Sequence, residues 1–582
     1  MTYAKSFAVT LLFLGSAFLS HDAAARQDVI LPDLAPREVE ITGDLTIVFP
    51  ALRRQPLVGF NPPPPVPDIS SSRLPFAEAY KQPSADLPPS PVVPPEPPNV
   101  SAIAQRIPMN GKMEASVGRY LDRKLTANLA MGYSIHSGTL LNFSYHGSEG
   151  REPFAGSTAN SGFDKLAADL THSRRFRGME FSVGASGFKQ AYQLFGIAPD
   201  AGALSLAHPQ RDFSGAEGSV AFRTLPGSSF QAELSATSGF SKVNTDVYDP
   251  GVKVDPLTSR KENFLSSQAL VSIPIPDGYV AITAQGTTSG LDSGSYPGST
   301  VQSGFSQVEL SYLYSAKLNL KGGLAVMGFR SEPQQVSDQK RSLAYLSPVL
   351  EASYAVSPAL RAFAANRPHL TSGLQKNAYS SAPFIQDEAL LLPGLVSIDA
   401  HTGMEYQSEF VTGKASFGYK DEPYKRFAAM PSTPVHGYSS AYPTFLYEPA
   451  TTLYGRLDLG FLLSPGMQLG LDAEYRKAEL SDSKADIPYF SPLSLGGFVS
   501  ASFLDGNALV QATFRHESSR PIDLANSFKT KSITLFGVEG SYFLTPTYGV
   551  SVGVRNLGAS PEFWHMYPFE SSTVFMGAKY RW

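Results

Sequence analysis

Apolar and polar residues alternate along most of this chain with the period of a β-strand. Leu125, Ala127, Leu129, Met131 and Tyr133 oppose Thr126, Asn128, Ala130, Gly132 and Ser134. Val308, Leu310, Tyr312 and Tyr314 oppose Glu309, Ser311 and Ser315. Met467, Leu469, Leu471, Ala473 and Tyr475 oppose Gln468, Gly470, Asp472, Glu474 and Arg476, and Val550, Val552 and Val554 oppose Ser551, Gly553 and Arg555. Successive side chains of a strand point to opposite faces, so each segment predicts a strand with one greasy and one wet face. The chain closes on the same pattern. Val574, Met576, Ala578, Tyr580 and Trp582 share one face, and Gly577, Lys579 and Arg581 share the other. Alone, that ending fits either an edge strand of a soluble sheet or the last strand of a membrane barrel. Its repetition from about Met113 onward favours the barrel.

The connections alternate in length. Short turns such as Pro276-Asp277-Gly278, Ser357-Pro358, Ser464-Pro465-Gly466, Asp505-Gly506-Asn507 and Thr545-Pro546-Thr547 separate long loops such as 147–162, 190–209, 367–393, 421–447 and 557–570. Short turns at one rim and long loops at the other are the barrel convention. The pattern predicts an all-β, antiparallel, up-and-down transmembrane barrel over 108–582 with about 22 strands (about 20 to 24). An even count places both chain ends on the periplasmic side. With 42% hydrophobic and 17% charged residues among 582, the composition matches alternating strands and polar loops. The net charge of −4 argues against a nucleic-acid binder.

The N-terminal part reads differently. Lys5, the apolar run Phe7 to Leu19 and Ala23-Ala24-Ala25 describe a signal peptide over residues 1–25. Export without a later apolar helix leaves a periplasmic, secreted or outer-membrane protein. The sequence has no cysteine, which excludes a lipid-anchoring lipobox, disulfides and thiol chemistry. Residues 26–107 are proline-rich, with Pro62 to Pro65, Pro88-Pro89, Pro94-Pro95 and Pro97-Pro98. Proline lacks an amide donor and fixes φ, so this predicts an extended, mostly disordered periplasmic arm. Residues 38–49 form a short alternating stretch within it. The arm is either a plain tether or a strand donor to a periplasmic partner.

Charged residues on the wet face mark a hydrated lumen, because Lys or Arg facing lipid at mid-depth costs about 2–4 kcal/mol. The main candidates are Asp399, Glu405, Arg456, Asp458, Asp472, Glu474, Arg476, Arg515, Glu539 and Arg555. They line a solute passage or neutralise one another. Those near the turn at 464–466 are expected to form a ladder of charges paired between neighbouring strands. Loop aromatics (Tyr438, Tyr442, Phe445 and Tyr447, then Phe563, Trp564, Tyr567 and Phe569) stack a ligand or pack loops together. No HExxH or Walker motif occurs, the Gly-x-Ser-x-Gly run at Gly549 to Gly553 lies within the alternating strand pattern and makes no nucleophile elbow, and no catalytic, cofactor or metal residues are assigned.

The barrel region resembles that of the TonB-dependent transporter family. The resemblance rests on strand count, the terminal Gly577-x-x-Tyr580-x-Trp582, the run Ser357 to Ala364, the Arg367-Pro368 loop and Pro383-Phe384-Ile385. The terminal motif is similar to the signal read by the barrel-assembly machinery, and Asp44-Leu45-Thr46-Ile47-Val48 resembles the family's box for an inner-membrane energising partner. The family also carries a globular plug of well over a hundred residues before its barrel. The proline-rich arm leaves no room for a normal one. The resemblance implies a transporter or receptor-like channel, embedded in outer-membrane lipid and lipopolysaccharide, for a hydrophilic or large solute. A barrel that anchors a periplasmic partner through its arm is the alternative.

Overall fold

The computed structural model describes residues 109–582 except 133–135, 154–159, 195–209, 226–229, 247, 250–251, 254–257, 294–298, 316, 334–340, 387–390, 431–442, 559–561, 565–566 and 569–571. The signal peptide, the arm, residues 38–49 and the box-like segment Asp44, Leu45, Thr46, Ile47 and Val48 lie outside the described residues, as do Tyr438, Tyr442 and Phe569.

The strands form an antiparallel meander in which each pairs with the next, and the sheet closes as a barrel of 22 strands. The seam joins Met109–Gly118 to Thr573–Arg581, with Met113 opposite Tyr580 and Ala115 opposite Ala578. Trp582 extends it, since its amide and carbonyl exchange hydrogen bonds of 3.1 and 3.2 Å with Gly111. No strand edge is left open at the seam, which is the condition for placing a sheet in lipid.

The two faces are sharply different. Outward positions carry large apolar side chains: Val552 is 60% exposed, Met576 65% and Leu324 56%. Their neighbours in sequence point inward, and Phe575 is only 3% exposed. Aromatics mark both margins of the outer apolar belt. Phe410, Phe503, Tyr542 and Tyr548 lie near the short turns, and Phe240, Phe417, Tyr475 and Phe536 lie toward the long loops. Amphipathic rings at two levels bounding an apolar band are the signature of a bilayer-spanning barrel. The tight turns suit the twist of their strands. Arg177 and Gly178 both take positive φ, 28° and 85°, as a two-residue hairpin turn requires.

The buried core is inside the barrel, toward the rim of long loops. There, the connection between the strands Leu360–Asn366 and Ile398–Gln407 leaves the wall and folds inward. Two short strands, His369–Thr371 and Gly394–Val396, pair with each other and bracket a helix, Gln375–Ser381. The wall strands on either side pair directly across the gap, Leu360 opposite Tyr406 and Asn366 opposite Ala400, so the cylinder remains closed.

The face assignment makes a direct prediction. Val552→Arg places a cation in lipid and is expected to lower stability by about 2–4 kcal/mol. Gln511→Arg on the wet face, opposite Glu539, is expected to cost less than about 1 kcal/mol. Urea unfolding in lipid vesicles measures both, and equal costs would contradict the assignment.

Candidate functional site: a charged lumen and an inward segment

The inward segment is too apolar for water. Leu374, Ala378, Tyr379, Ala382, Ile385, Leu391, Leu392, Leu395 and Val396 are all buried. Its helix packs against Phe213 and Val243 of the wall, with Ala428 and Phe445 completing the cluster. Leu392 sits with Val301 and Phe329, and Leu395 with Phe305, Met327 and Val349. The two stems cross closely: a Cβ on Gly373 would stand 2.8 Å from the backbone of Leu392 and Pro393, so glycine permits the approach.

Polar groups fix the segment in one place. Arg211 is fully buried; its Nη1 donates to the Pro383 carbonyl at 2.6 Å and its Nε to Thr245 Oγ1 at 3.2 Å. The Tyr192 hydroxyl donates to the same carbonyl at 2.7 Å. The Gln375 amide donates to the buried Glu262 carboxylate at 2.7 Å, and Lys376 forms an ion pair with Glu217. The amide of Leu392 donates to the Tyr447 hydroxyl at 2.7 Å. A β-bulge at Glu422–Lys425 frees Tyr424 from its neighbouring strand, and Tyr424 pairs with Leu395 instead. Its ring stacks on Tyr447 at 5.0 Å. At the stem, Arg367 binds Glu351 at 2.9 Å. His369 turns Nδ1 to the Arg367 carbonyl at 3.2 Å, and desolvation pushes its imidazole below its ordinary value, so it adds no charge at neutral pH.

The ten charges singled out from sequence all project from the inward face, spread over strands between residues 398 and 557. Asp399 accepts from the Tyr454 hydroxyl at 2.8 Å and pairs with Lys420 at 3.3 Å. Glu405 pairs with Lys414 at 2.7 Å. Arg456 reaches Asp458 at 3.5 Å, and Arg476 reaches Glu474 at 3.8 Å. These two contacts run along a strand. Register also places Arg456 opposite Glu474, but it sets Asp458 opposite Asp472, a like-charged pair. The expected ladder across strands is therefore interrupted there. Arg515 pairs with Glu517, and Glu539 with Lys579 at 2.9 Å. Arg555 lies over the Phe575 ring at 3.8 Å. Eight of the ten are in ion pairs while Asp472 faces Asp458 and Arg555 lies on a ring, so these residues make a wall of mostly paired charges, not one focused pocket. At the seam, Tyr580 stands between Tyr548 and Trp582, at 4.9 and 5.0 Å, and Gly577 faces Ser116 and Ser551.

Sequence reasoning missed Arg211, Glu262, Gln375 and Tyr379 as a group. The available signal was the run Leu390-Leu391-Leu392-Pro393-Gly394-Leu395-Val396, which no exposed loop would carry. The loop aromatics that can be placed do not form a ligand-stacking rim. Phe445 and Tyr447 pack against the inward segment, and Trp564 packs on Tyr489 at 4.5 Å.

A closed barrel of this size, greasy outside and charged within, is an outer-membrane protein with the fold of a transporter. No protein-family model matches the sequence, and no curated protein does. Solved structures do. The copper transporter OprC aligns with a TM-score of 0.63 at 12% identity, covering 81% of this chain and 80% of its own. The FrpB iron transporter from Neisseria meningitidis aligns at 0.63 and 11%, covering 83% of each chain. The pyoverdine outer membrane receptor FpvA from Pseudomonas aeruginosa aligns at 0.61 and 10%, covering 81% of this chain and 78% of its own. These are TonB-dependent outer-membrane transporters, and at such identities the likeness is one of fold.

Arg211→Met removes one of the two donors to the Pro383 carbonyl and leaves the Tyr192 hydroxyl in place. A hydrogen bond from a charged donor contributes about 1.5–3 kcal/mol, so hydrogen exchange at the Ala378 and Ala382 amides is expected to quicken about tenfold or more. Amides of the wall strands are expected to keep their protection. Unchanged exchange in the helix would show that Arg211 does not hold the segment.

Proposed function

We propose that this barrel passes a hydrophilic solute across the outer membrane and that residues 367–397 restrict the passage. The observation that carries the reading is the inward segment itself, an apolar wedge pinned by Arg211, Glu262 and Lys376 inside a lumen lined with charge pairs. A wall of mostly paired charges of both signs stays hydrated without strongly attracting one sign of ion, which suits polar or zwitterionic solutes more than a strongly charged one. Anchoring a periplasmic partner through residues 26–107 is the weaker reading, because neither the hydrated lumen nor the segment inside it serves that purpose. Within the transport reading, Asp44 to Val48 is the candidate contact for an inner-membrane energising partner. Gly577, Tyr580 and Trp582 are the candidate signal for the assembly machinery.

Planar-bilayer recording tests the proposal. The full-length protein is expected to give a steady ionic conductance. If it is silent and opens once residues 26–107 are removed, the arm is itself a small plug, and the transport reading stands. Silence in both forms would contradict it. Removing Trp582 is expected to lower the yield of folded barrel while leaving single-channel conductance unchanged.

A further inference from the structure

One part of the lumen wall carries polar side chains in an unbroken row. Lys112, Asn128, Asn142, Asp169, Ser186 and Glu217 are successive register partners on six neighbouring strands. Asn128 Nδ2 donates to Asn142 Oδ1 at 2.7 Å, and Asn142 Nδ2 donates to Asp169 Oδ1 at 3.1 Å. Ser186 donates to Glu217 at 3.2 Å, and Glu217 holds Lys376 of the inward segment. The row is inclined. Lys112 stands near the start of Met109–Gly118, whereas Glu217 is midway along Gln210–Thr224. It therefore climbs from near the rim of short turns to the inward segment. A cavity of about 680 Å³ opens along the part from Lys112 to Ser186.

The two ends of that cavity bear opposite charge. Lys112 is exposed to the lumen and makes no ion pair among the described residues. Its charged neighbours on the same face are Arg581, directly opposite, with Glu114 and Lys579 beside them. Lys579 takes Glu114 at 3.7 Å and Glu539 at 2.9 Å, and Arg581 turns its Nε to the Pro546 carbonyl at 2.6 Å. Three cations against two carboxylates leave this end positive. Asp169, at the other end, accepts only the bond from Asn142, and its lumen-facing neighbours Leu140, Ser144, Ala167, Thr171, Gly184 and Phe188 carry no charge. The nearest inward cation of its own strand, Lys165, is a full turn of the pleat pattern closer to the long loops and lies over the Phe163 ring at 5.0 Å. Between the two ends, each asparagine keeps one N–H that meets no acceptor among the described residues, and Asn128 also keeps its carbonyl oxygen.

The spacing selects the ligand. Three strand intervals of about 4.8 Å place the Cα atoms of Lys112 and Asp169 about 14 Å apart. A free amino acid carries its ammonium and carboxylate far too close together to reach both. An extended peptide advances about 3.4 Å per residue, so about four residues span the gap. Its amides would run past two side-chain amides, which offer the donors and acceptors that a peptide backbone requires. We infer that the row binds a short peptide with free ends, its carboxylate at Lys112, its ammonium at Asp169 and its backbone against Asn128 and Asn142. The cavity is within the usual range for a small-ligand site. This inference rests on the transport reading for the route by which a solute reaches the lumen, and it names the class of solute.

The test titrates the full-length protein in detergent with tetra-alanine by isothermal calorimetry, after heat-modifiable gel migration has shown each variant to be folded. Acetylating the amino end of the peptide or amidating its carboxyl end is expected to weaken binding about fivefold. Asp169→Asn keeps an acceptor for Asn142. It is expected to weaken the free peptide by about the same factor and to leave the acetylated peptide unchanged. Lys112→Gln is expected to weaken the free peptide likewise and to leave the amidated peptide unchanged. Equal losses for free and blocked peptides would show that neither side chain meets a peptide end, and would overturn the inference. So would a neutral tetrasaccharide that binds as tightly as tetra-alanine. Conductance of the same preparation separates the two readings. A barrel that conducts and does not bind tetra-alanine overturns this inference and leaves the transport reading standing. A barrel that binds it with this pattern and stays silent with and without residues 26–107 supports the site and contradicts the transport reading.

Discussion

A strand in lipid has no water to which its amide groups can turn, so every backbone donor and acceptor must find a partner within the protein. That constraint sets the rest of this molecule. It forces the sheet to close, and closure is completed by the last residues of the chain, where Trp582 exchanges hydrogen bonds with Gly111 and Tyr580 faces Met113. It also forces each strand to be two-faced. The side meeting acyl chains must be apolar, and the other side is free to carry charge.

Closure at this strand number creates a second problem. Small barrels fill their interiors with wall side chains, whereas a cylinder of 22 strands encloses more space than its own side chains fill. Part of the answer here is taken from a loop. Residues 367–386 and 391–397 leave the wall and bring Leu374, Tyr379, Ile385 and Leu392 into the interior, giving the barrel a core of the kind a soluble protein has. Burying a backbone segment exposes its polar groups to the same demand for partners, and Arg211, Tyr192, Glu262 and Tyr447 meet it from the wall. The inward segment and its wall contacts therefore belong together. A change to one is felt by the other.

The barrel was legible in the sequence because its signal is local. A period of two identifies faces without knowledge of which strand pairs with which, so Val552 could be placed in lipid and Arg555 in the lumen from their neighbours alone. Pairing needs register, and register is not local. The row that set Asp458 against Asp472 follows from the turn at 464–466 and its shift in register, not from the charges themselves. The destination of residues 367–397 was hidden for the same reason. Their partners are Arg211 and Glu262, more than a hundred residues away in sequence. Only the excess of leucine at 390–395 hinted that the loop avoids water. Loop aromatics carried an ambiguous signal, because Phe445 and Tyr447 look the same on an exposed rim as they do packed against an inward helix.

We propose that the segment inside the barrel limits passage through it. The most direct measurement replaces Leu374–Leu391 with a short Gly–Ser linker, leaving the pairing of His369–Thr371 with Gly394–Val396 in place, and records single-channel conductance in planar bilayers. Both the native and the shortened barrel are first shown to be folded by heat-modifiable gel migration. The account predicts a clear rise in conductance and entry of larger neutral sugars into liposomes. A folded, shortened barrel with unchanged conductance and an unchanged size limit would contradict it.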